Sequence, residues 1–261
     1  MIFASDLDNT LIHSYKKAEN TDVCVEMKDG RQLSFMSLKS YELLQDLSKK
    51  IFFIPVTSRT VEQYKRIKLL ENSFPRYAIC CNGAILLKNG IIDEIWLKES
   101  KELLKESLLL IRSYEEKLNE IKDYVYDIRS ADGFFIVFKA ENKEKAIQKI
   151  RCFLNEELFD IFNVYSKIYI ISKKLNKGEA IRRLKKRFKI GGYLLCAGDC
   201  TMDLPMLKQA DKAVVSKLFD YNYDNFIRSL GNDFAYDILK VVECFYKGEF
   251  NEQNICTERQ C

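Results

Sequence analysis

The sequence predicts an α/β protein: a Rossmann-like parallel sheet whose two halves are separated by an inserted α+β unit. Three observations carry this. Short apolar runs alternate with amphipathic stretches at both ends of the chain, the pattern of parallel strands joined by crossover helices. The middle reads instead as helix–hairpin–helix–hairpin, a small antiparallel unit. Only 10 Gly and 3 Pro occur among 261 residues, which excludes a linker-rich or collagen-like chain, and 47% hydrophobic residues suffice for a proper core.

Each element follows in order. Residues 2–5 are an apolar run that stops at an acid, as a buried strand ending at a site does. Residues 22–27 and 32–35 flank Asp29-Gly30, a hairpin turn signal. Ser37 is placed to cap a helix whose apolar positions include Tyr41, Leu43, Leu44 and Leu47. A buried strand is expected over 51–56, a helix over 60–70 and a third strand over 77–81, running into Asn82-Gly83. The insertion then gives a long helix over 99–120 and strands over 124–128 and 134–138 around Ala131-Asp132-Gly133. A helix over 144–154 and strands over 158–164 and 168–171 complete it. Alternation resumes with a helix over 177–188, a strand over 193–197, a short helix over 204–209, a strand over 213–216 and a last helix over 234–246. The boundaries are a discontinuous core of 1–85 and 173–261 and an insertion of 86–172. Residues 248–261 are polar and expected to fray, and the Tyr- and Asn-rich stretch 217–231 fits none of these patterns.

Composition removes several chemistries. The single histidine, His13, excludes any site built on two histidines. Carboxylates and lysines are left for proton work, and oxygen ligands for any metal. His13 itself is expected to be structural. The 9 cysteines are odd in number, follow no framework spacing and include no C-x-x-C pair. The N-terminus lacks a basic start and reaches two carboxylates by residue 8, unlike a signal peptide, and no apolar run approaches a membrane span. A reducing cytoplasm is the expectation. A net charge of +4 is far from that of a dedicated nucleic-acid binder. The run Arg182-Arg183-Leu184-Lys185-Lys186-Arg187 reads as a solvated helix face.

The chemistry concentrates in carboxylates. Asp6 and Asp8 lie just past the first strand, and in extended chain residues i and i+2 point to the same side. Ligands of open parallel sheets bind outside the carboxyl ends of the strands. One carboxylate can attack phosphorus while the other protonates the leaving oxygen, and the pair also suits a hard cation. The second strand ends in Val56-Thr57-Ser58-Arg59 and the late one in Ala197-Gly198-Asp199, with Asp203 following; Lys177 opens the helix before it. A phosphate needs hydroxyl and amide donors, a lysine and a cation.

In these four pieces (Asp6-Leu7-Asp8-Asn9-Thr10-Leu11, Thr57, Lys177, and Gly198 to Asp203) the sequence resembles the haloacid dehalogenase (HAD) superfamily of aspartate-nucleophile phosphatases. With the insertion between the second and third, and Asn82-Gly83-Ala84, it looks like the Cof-type and sucrose-phosphate-phosphatase-like branch, whose α+β insertion caps the site. The resemblance implies that Asp6 is the nucleophile and that Asp8 protonates the leaving alcohol and then activates water. It implies that Thr57 and Lys177 hold the phosphoryl oxygens, and that Mg²⁺ is held by Asp6, the Asp8 carbonyl and Asp199, with Asp203 in support through water. Arg59 and Asn82 match positions near the substrate.

Three positions depart from the family pattern: Asn9 and Ser58 stand where glycine is usual, and Met202 where an asparagine is. The function expected is a Mg²⁺-dependent phosphatase of a small phosphorylated metabolite such as a sugar phosphate, with neither nucleic acid nor membrane as partner. A phosphotransferase or phosphomutase, or a phosphate-binding regulator without catalysis, stand as alternatives. Arg129, Ser130 and Asp132 are the expected substrate selectors on the cap. Cys200, among acids, is expected to have a raised pKa and no nucleophilic role.

Overall fold

The computed structural model describes residues 1–71 and 73–250. Most of the stretch expected to fray lies outside them. β1 (Ile2–Ser5) leads through a tight loop to β2 (His13–Ser14), which joins the hairpin of β3 (Val23–Lys28) and β4 (Arg31–Met36) in an antiparallel flap. α1 (Leu38–Ser48) starts at Ser37, whose hydroxyl accepts from the Ser40 amide. β5 (Phe52–Pro55), α2 (Val61–Lys65) and β6 (Tyr77–Cys80) follow, and β6 pairs with β7 (Ile85–Lys88), itself paired with β8 (Ile91–Ile92). Then come α3 (Glu94–Leu103), α4 (Lys105–Glu120), β9 (Tyr126–Ala131), β10 (Phe135–Lys139), α5 (Lys143–Arg151), β11 (Phe159–Val164) and β12 (Lys167–Ser172). The chain closes with α6 (Lys177–Phe188), β13 (Leu194–Gly198), α7 (Leu204–Leu207), β14 (Lys212–Val215), β15 (Phe226–Arg228) and α8 (Phe234–Lys247).

The central sheet is parallel throughout, in the order β15-β14-β13-β1-β5. Alternation along its strands separates two apolar layers. Phe3, Phe53, Leu195 and Val214 face Leu44 and Leu47 of α1 and Ile238, Leu239 and Val242 of α8. Ile2, Ala4, Ile54, Cys196 and Val215 face Ala180, Ile181 and Leu184 of α6 and Met206 and Leu207 of α7. This is the expected doubly wound core. The antiparallel cap sheet, ordered β11-β12-β10-β9, has its own core: Ile136, Phe138, Ile168 and Ile170 pack against Ile111, Tyr114 and Leu118 of α4 and Ile150 of α5. Among the described residues no helix is long and apolar enough to cross a membrane.

Several expectations change. The helix expected over 60–70 ends at Lys65, because Ile67 bridges Glu26 and the Lys68 amide donates to the Val25 carbonyl. The long helix expected over 99–120 is two helices that break at Leu104. Leu86 and Trp96 are buried with the strands of the central sheet. The basic run on α6 is not simply solvated. Arg183 stacks over Trp96 (4.0 Å) and pairs with Glu99, and Arg187 pairs with Asp93 and Glu99, which fastens α6 to α3. The stretch 217–231 supplies edge strand β15, with Arg228 donating to the Phe219 and Tyr221 carbonyls and Asn225 to those of Leu207 and Ala210.

Candidate active site

Ser5 lies level with Ala197 on one side and Pro55 on the other, so β1, β5 and β13 end at one edge. Asp6, Thr57 and Asp199 emerge from that edge. Fully buried Thr57 turns the chain: its amide donates to the Ile79 carbonyl, its hydroxyl accepts from the Arg59 amide, and its carbonyl accepts from the Asn82 amide. The loop after β1 wraps on the Leu7 carbonyl, which accepts the amides of Thr10, Leu11 and Ile12. Asn9 takes the left-handed conformation there (φ 58°), a geometry that asparagine tolerates. Ser58 lies outside that region, so glycine is not required at its position.

Lys177, at the first turn of α6, is buried between two carboxylates. Its Nζ is 2.5 Å from Asp6 Oδ1 and 2.5 Å from Asp203 Oδ1. Burial alone would favour the neutral amine, and the two anions reverse this and hold its pKa above the ordinary lysine value. Thr10 Oγ1 lies 3.2 Å from both Asp6 Oδ2 and Asp199 Oδ1 and so ties the first and last strand ends together. Burial pushes the Asp6 carboxyl well above the usual range; Lys177 opposes this, and Asp203, Asp199 and Asp8 add to it. Asp199 is pushed up to about 6 by burial and then by Asp203.

The second oxygen of Asp203 accepts from the amides of Asp199 and Cys200 at 3.1 Å each and from the Cys200 thiol at 3.3 Å. Both Asp203 oxygens are thus engaged by protein groups, and its support of the site runs through Lys177 and the loop amides. Gly198 is required for this, since a Cβ there would lie 2.5 Å from the Asp203 Cβ. Met202 is buried in the main core cluster and offers nothing to the acids. Burial, then Asp203 and Asp199, raises the Cys200 thiol, as expected.

Asp8 faces Arg59. Desolvation in the cleft pushes its carboxyl up, but the Arg59 hydrogen bonds and charge outweigh this and hold it below the usual carboxylate range. Arg59 is itself held by buried Glu26 at 2.8 Å, and Glu26 also accepts from Ser34 (2.6 Å) and Arg66 (3.1 Å). Asn82, in the left-handed region (φ 56°), donates to the Leu175 carbonyl and leaves its own carbonyl oxygen buried without a partner. His13 pairs with Asp22 at 2.8 Å and stacks on Phe35, away from this chemistry.

The family model for sucrose-6F-phosphate phosphohydrolase matches residues 1–218. The chain belongs to that family. It is a HAD-superfamily phosphatase, a phosphoric monoester hydrolase. Among solved structures, the sucrose-phosphatase of Synechocystis sp. PCC6803, determined with sucrose and phosphate, has a TM-score of 0.66 at 16% identity, covering 94% of this chain and 97% of that one. A trehalose-6-phosphate phosphatase related protein has a TM-score of 0.59 at 19% identity, covering 96% and 100%. A haloacid dehalogenase-like hydrolase from B. subtilis has 0.59 at 16%, covering 92% and 98%. No curated protein matches the chain in sequence.

In this phosphatase the cap touches the site. The Tyr165 hydroxyl, at the β11–β12 turn, donates to Asp199 Oδ2. Asp132 at the β9–β10 turn accepts from the Val61 amide (3.1 Å) and the Cys81 thiol (3.2 Å), so it anchors cap to core. Burial, and then the charges of Asp8, Cys200 and Asp6, raises the Tyr169 hydroxyl on β12. Thr10, Glu26, Tyr165 and Tyr169 were not singled out as site residues from the sequence. Thr10 had a readable signal in its place four residues after Asp6. The others depend on a bulge or on how the cap docks.

Proposed function

We propose that the protein is a Mg²⁺-dependent phosphatase of a small phosphorylated metabolite, a sugar phosphate or similar, working through an aspartyl-phosphate on Asp6. The observation that carries this is the meeting of Asp6 with Lys177, Thr10 and Asp199 at one sheet edge, with Asp8 two residues on. The donor set fits a hard divalent ion. Asp6 and Asp199 share Thr10, both carboxyls are raised first by burial and then by the neighbouring carboxylates, and Lys177 alone does not balance Asp6, Asp199 and Asp203. Asp6, Asp199 and the Asp8 carbonyl would hold it, and it would withdraw charge from the phosphoryl oxygens.

The chain's own groups carry the steps. Asp6 Oδ attacks phosphorus as the bond to the ester oxygen breaks, and Asp8, which must take up a proton as substrate binds because the Arg59 pair holds it ionised in the free site, gives that proton to the ester oxygen. Asp8 then takes a proton from water, whose oxygen attacks phosphorus and frees Asp6 and inorganic phosphate. Lys177 and Thr57 hold the phosphoryl oxygens through the transfer, and Arg59 and Asn82 border the leaving group.

The test is phosphate release from p-nitrophenyl phosphate and a panel of metabolite phosphates, with and without Mg²⁺. Release with no acceptor other than water distinguishes a phosphatase from a phosphotransferase. Asp6→Asn should reduce turnover by about 10³ or more. Equal activity of that variant, or full activity in EDTA, would overturn the reading.

A further inference from the structure

The cap face turned toward the catalytic loops carries cations that none of these steps uses. Register defines the face: Tyr169 stands opposite Val137, and Val137 opposite Arg129. Two residues along from Tyr169 and Val137, Lys167 and Lys139 share that side. The other side is the cap's own apolar core. Ala131, Phe135 and Ile171 of the inward side join the main core cluster, with Phe162, Val164 and Tyr169 against it. Arg129, Lys139 and Lys167 stand beyond this apolar floor.

Two anions share the face: Asp160, opposite Ile171, lies 3.9 Å from Lys173, and Asp127 partly offsets the three cations. β9 carries an extra residue opposite β10, which turns Asp127 (φ 54°) to pair with Arg129 (2.5 Å) and Lys139 (2.8 Å). Lys167 has no ion-pair partner among the described residues. It lies two residues from Tyr165, whose hydroxyl reaches Asp199, so it stands at the mouth of the site. The charged groups around it are Asp8, on the core side, and Arg59, Arg129 and Lys139. Asp8 is already taken by Arg59. Apart from the Asp160–Lys173 pair, the cap thus offers three cations against one carboxylate where the leaving group must lie. A neutral sugar supplies only hydroxyls there, whereas a carboxylate or second phosphate forms charge-assisted hydrogen bonds.

We propose that the preferred substrate carries a second anionic group, a carboxylate or a phosphate, on its leaving group, bound by Lys167 together with Arg129 and Lys139. This rests on the phosphatase reading above and deepens it.

The test compares kcat/KM, with Mg²⁺ present, within matched pairs. Glucose phosphate is set against gluconate phosphate with the ester on the same carbon, and hexose monophosphates against hexose bisphosphates. The first pair isolates a carboxylate, the second a second phosphate. In wild type the acidic member of at least one pair should be favoured at least about tenfold, and Lys167→Gln should bring that ratio close to one. Lys139→Gln, on a neighbouring strand, should lower the same ratio and guards against one variant misfolding. Neutral members hydrolysed as fast as acidic ones, or a ratio unmoved in both variants, would overturn the proposal and leave the phosphatase reading intact. Phosphate release from none of these and none from p-nitrophenyl phosphate would remove both.

Discussion

Arg59 closes a two-pronged ion pair on Asp8, its Nε 2.7 Å from Oδ2 and its Nη2 2.7 Å from Oδ1. The fork fixes the carboxylate plane of the residue proposed as acid and base, and Glu26 fixes the fork from behind. A lysine keeps the charge but not the planar fork. Arg59→Lys should therefore lower kcat/KM by roughly ten- to hundredfold, and Asp8→Asn should lower kcat by about 10² or more. Steady-state kinetics with Mg²⁺ checks both; an Arg59→Lys variant with unchanged kcat/KM would remove Arg59 from the site.

Among the described residues, Lys177 is the one cation between Asp6 and the fully buried Asp203. Removing it leaves two buried carboxylates without their partner, a loss that typically costs about 3–5 kcal/mol. Lys177→Met should lose stability of that order in metal-free urea unfolding at neutral pH, besides losing activity. A urea midpoint equal to that of wild type would show that the triad contributes nothing net.

The two halves of this site differ in how far the sequence revealed them. Asp6, Thr57, Lys177 and Asp199 were legible because each sits at the end of an apolar run or the start of a helix, and a parallel sheet brings such ends to one edge. Glu26 was not. Strict alternation along β3 would put it on the face opposite Val25, but the register shifts on either side of Glu26, so both residues turn inward. The short α2 has the same source, since its expected last turn instead pairs with β3. Tyr165, Lys167 and the anchoring role of Asp132, which the sequence offered as a substrate selector, were beyond reach for a different reason. Their contacts depend on the docking of the cap on the core, which no local periodicity encodes.

Asp199 gives a pH signature. Its carboxyl titrates at about 6 rather than the ordinary 3.8, so its proton is bound more tightly in the folded state. A raised carboxyl stabilises the fold fully below the ordinary value, and that contribution is lost as pH rises through about 6. The difference of about two pH units sets an upper bound of about 3 kcal/mol. Asn at this position has no such titration. In metal-free thermal unfolding, Asp199→Asn should gain on wild type from about pH 4 to pH 6 and hold its lead above that. Mg²⁺ at neutral pH should narrow the lead by stabilising wild type alone. A lead that does not vary with pH would contradict the raised carboxyl.

Gly178 follows Lys177 where α6 and α7 nearly touch. A Cβ there would lie 2.2 Å from the Pro205 carbonyl oxygen and 2.5 Å from its carbon, both backbone atoms that cannot swing aside. Helix propensity alone favours alanine by about 1 kcal/mol, but the clash must push α6 away from the loop that holds Asp203. Overpacking of this kind costs about 1–3 kcal/mol. Because Lys177 is the adjacent residue, the displacement should reach the site as well. Gly178→Ala is expected to lower both the urea midpoint and kcat. Gly191→Ala is the control: its Cβ would meet nothing within 4 Å, so its stability should stay within about 0.5 kcal/mol of wild type. If Gly178→Ala were as stable and as active as that control, the contact between α6 and α7 would not be what holds Lys177 against Asp6.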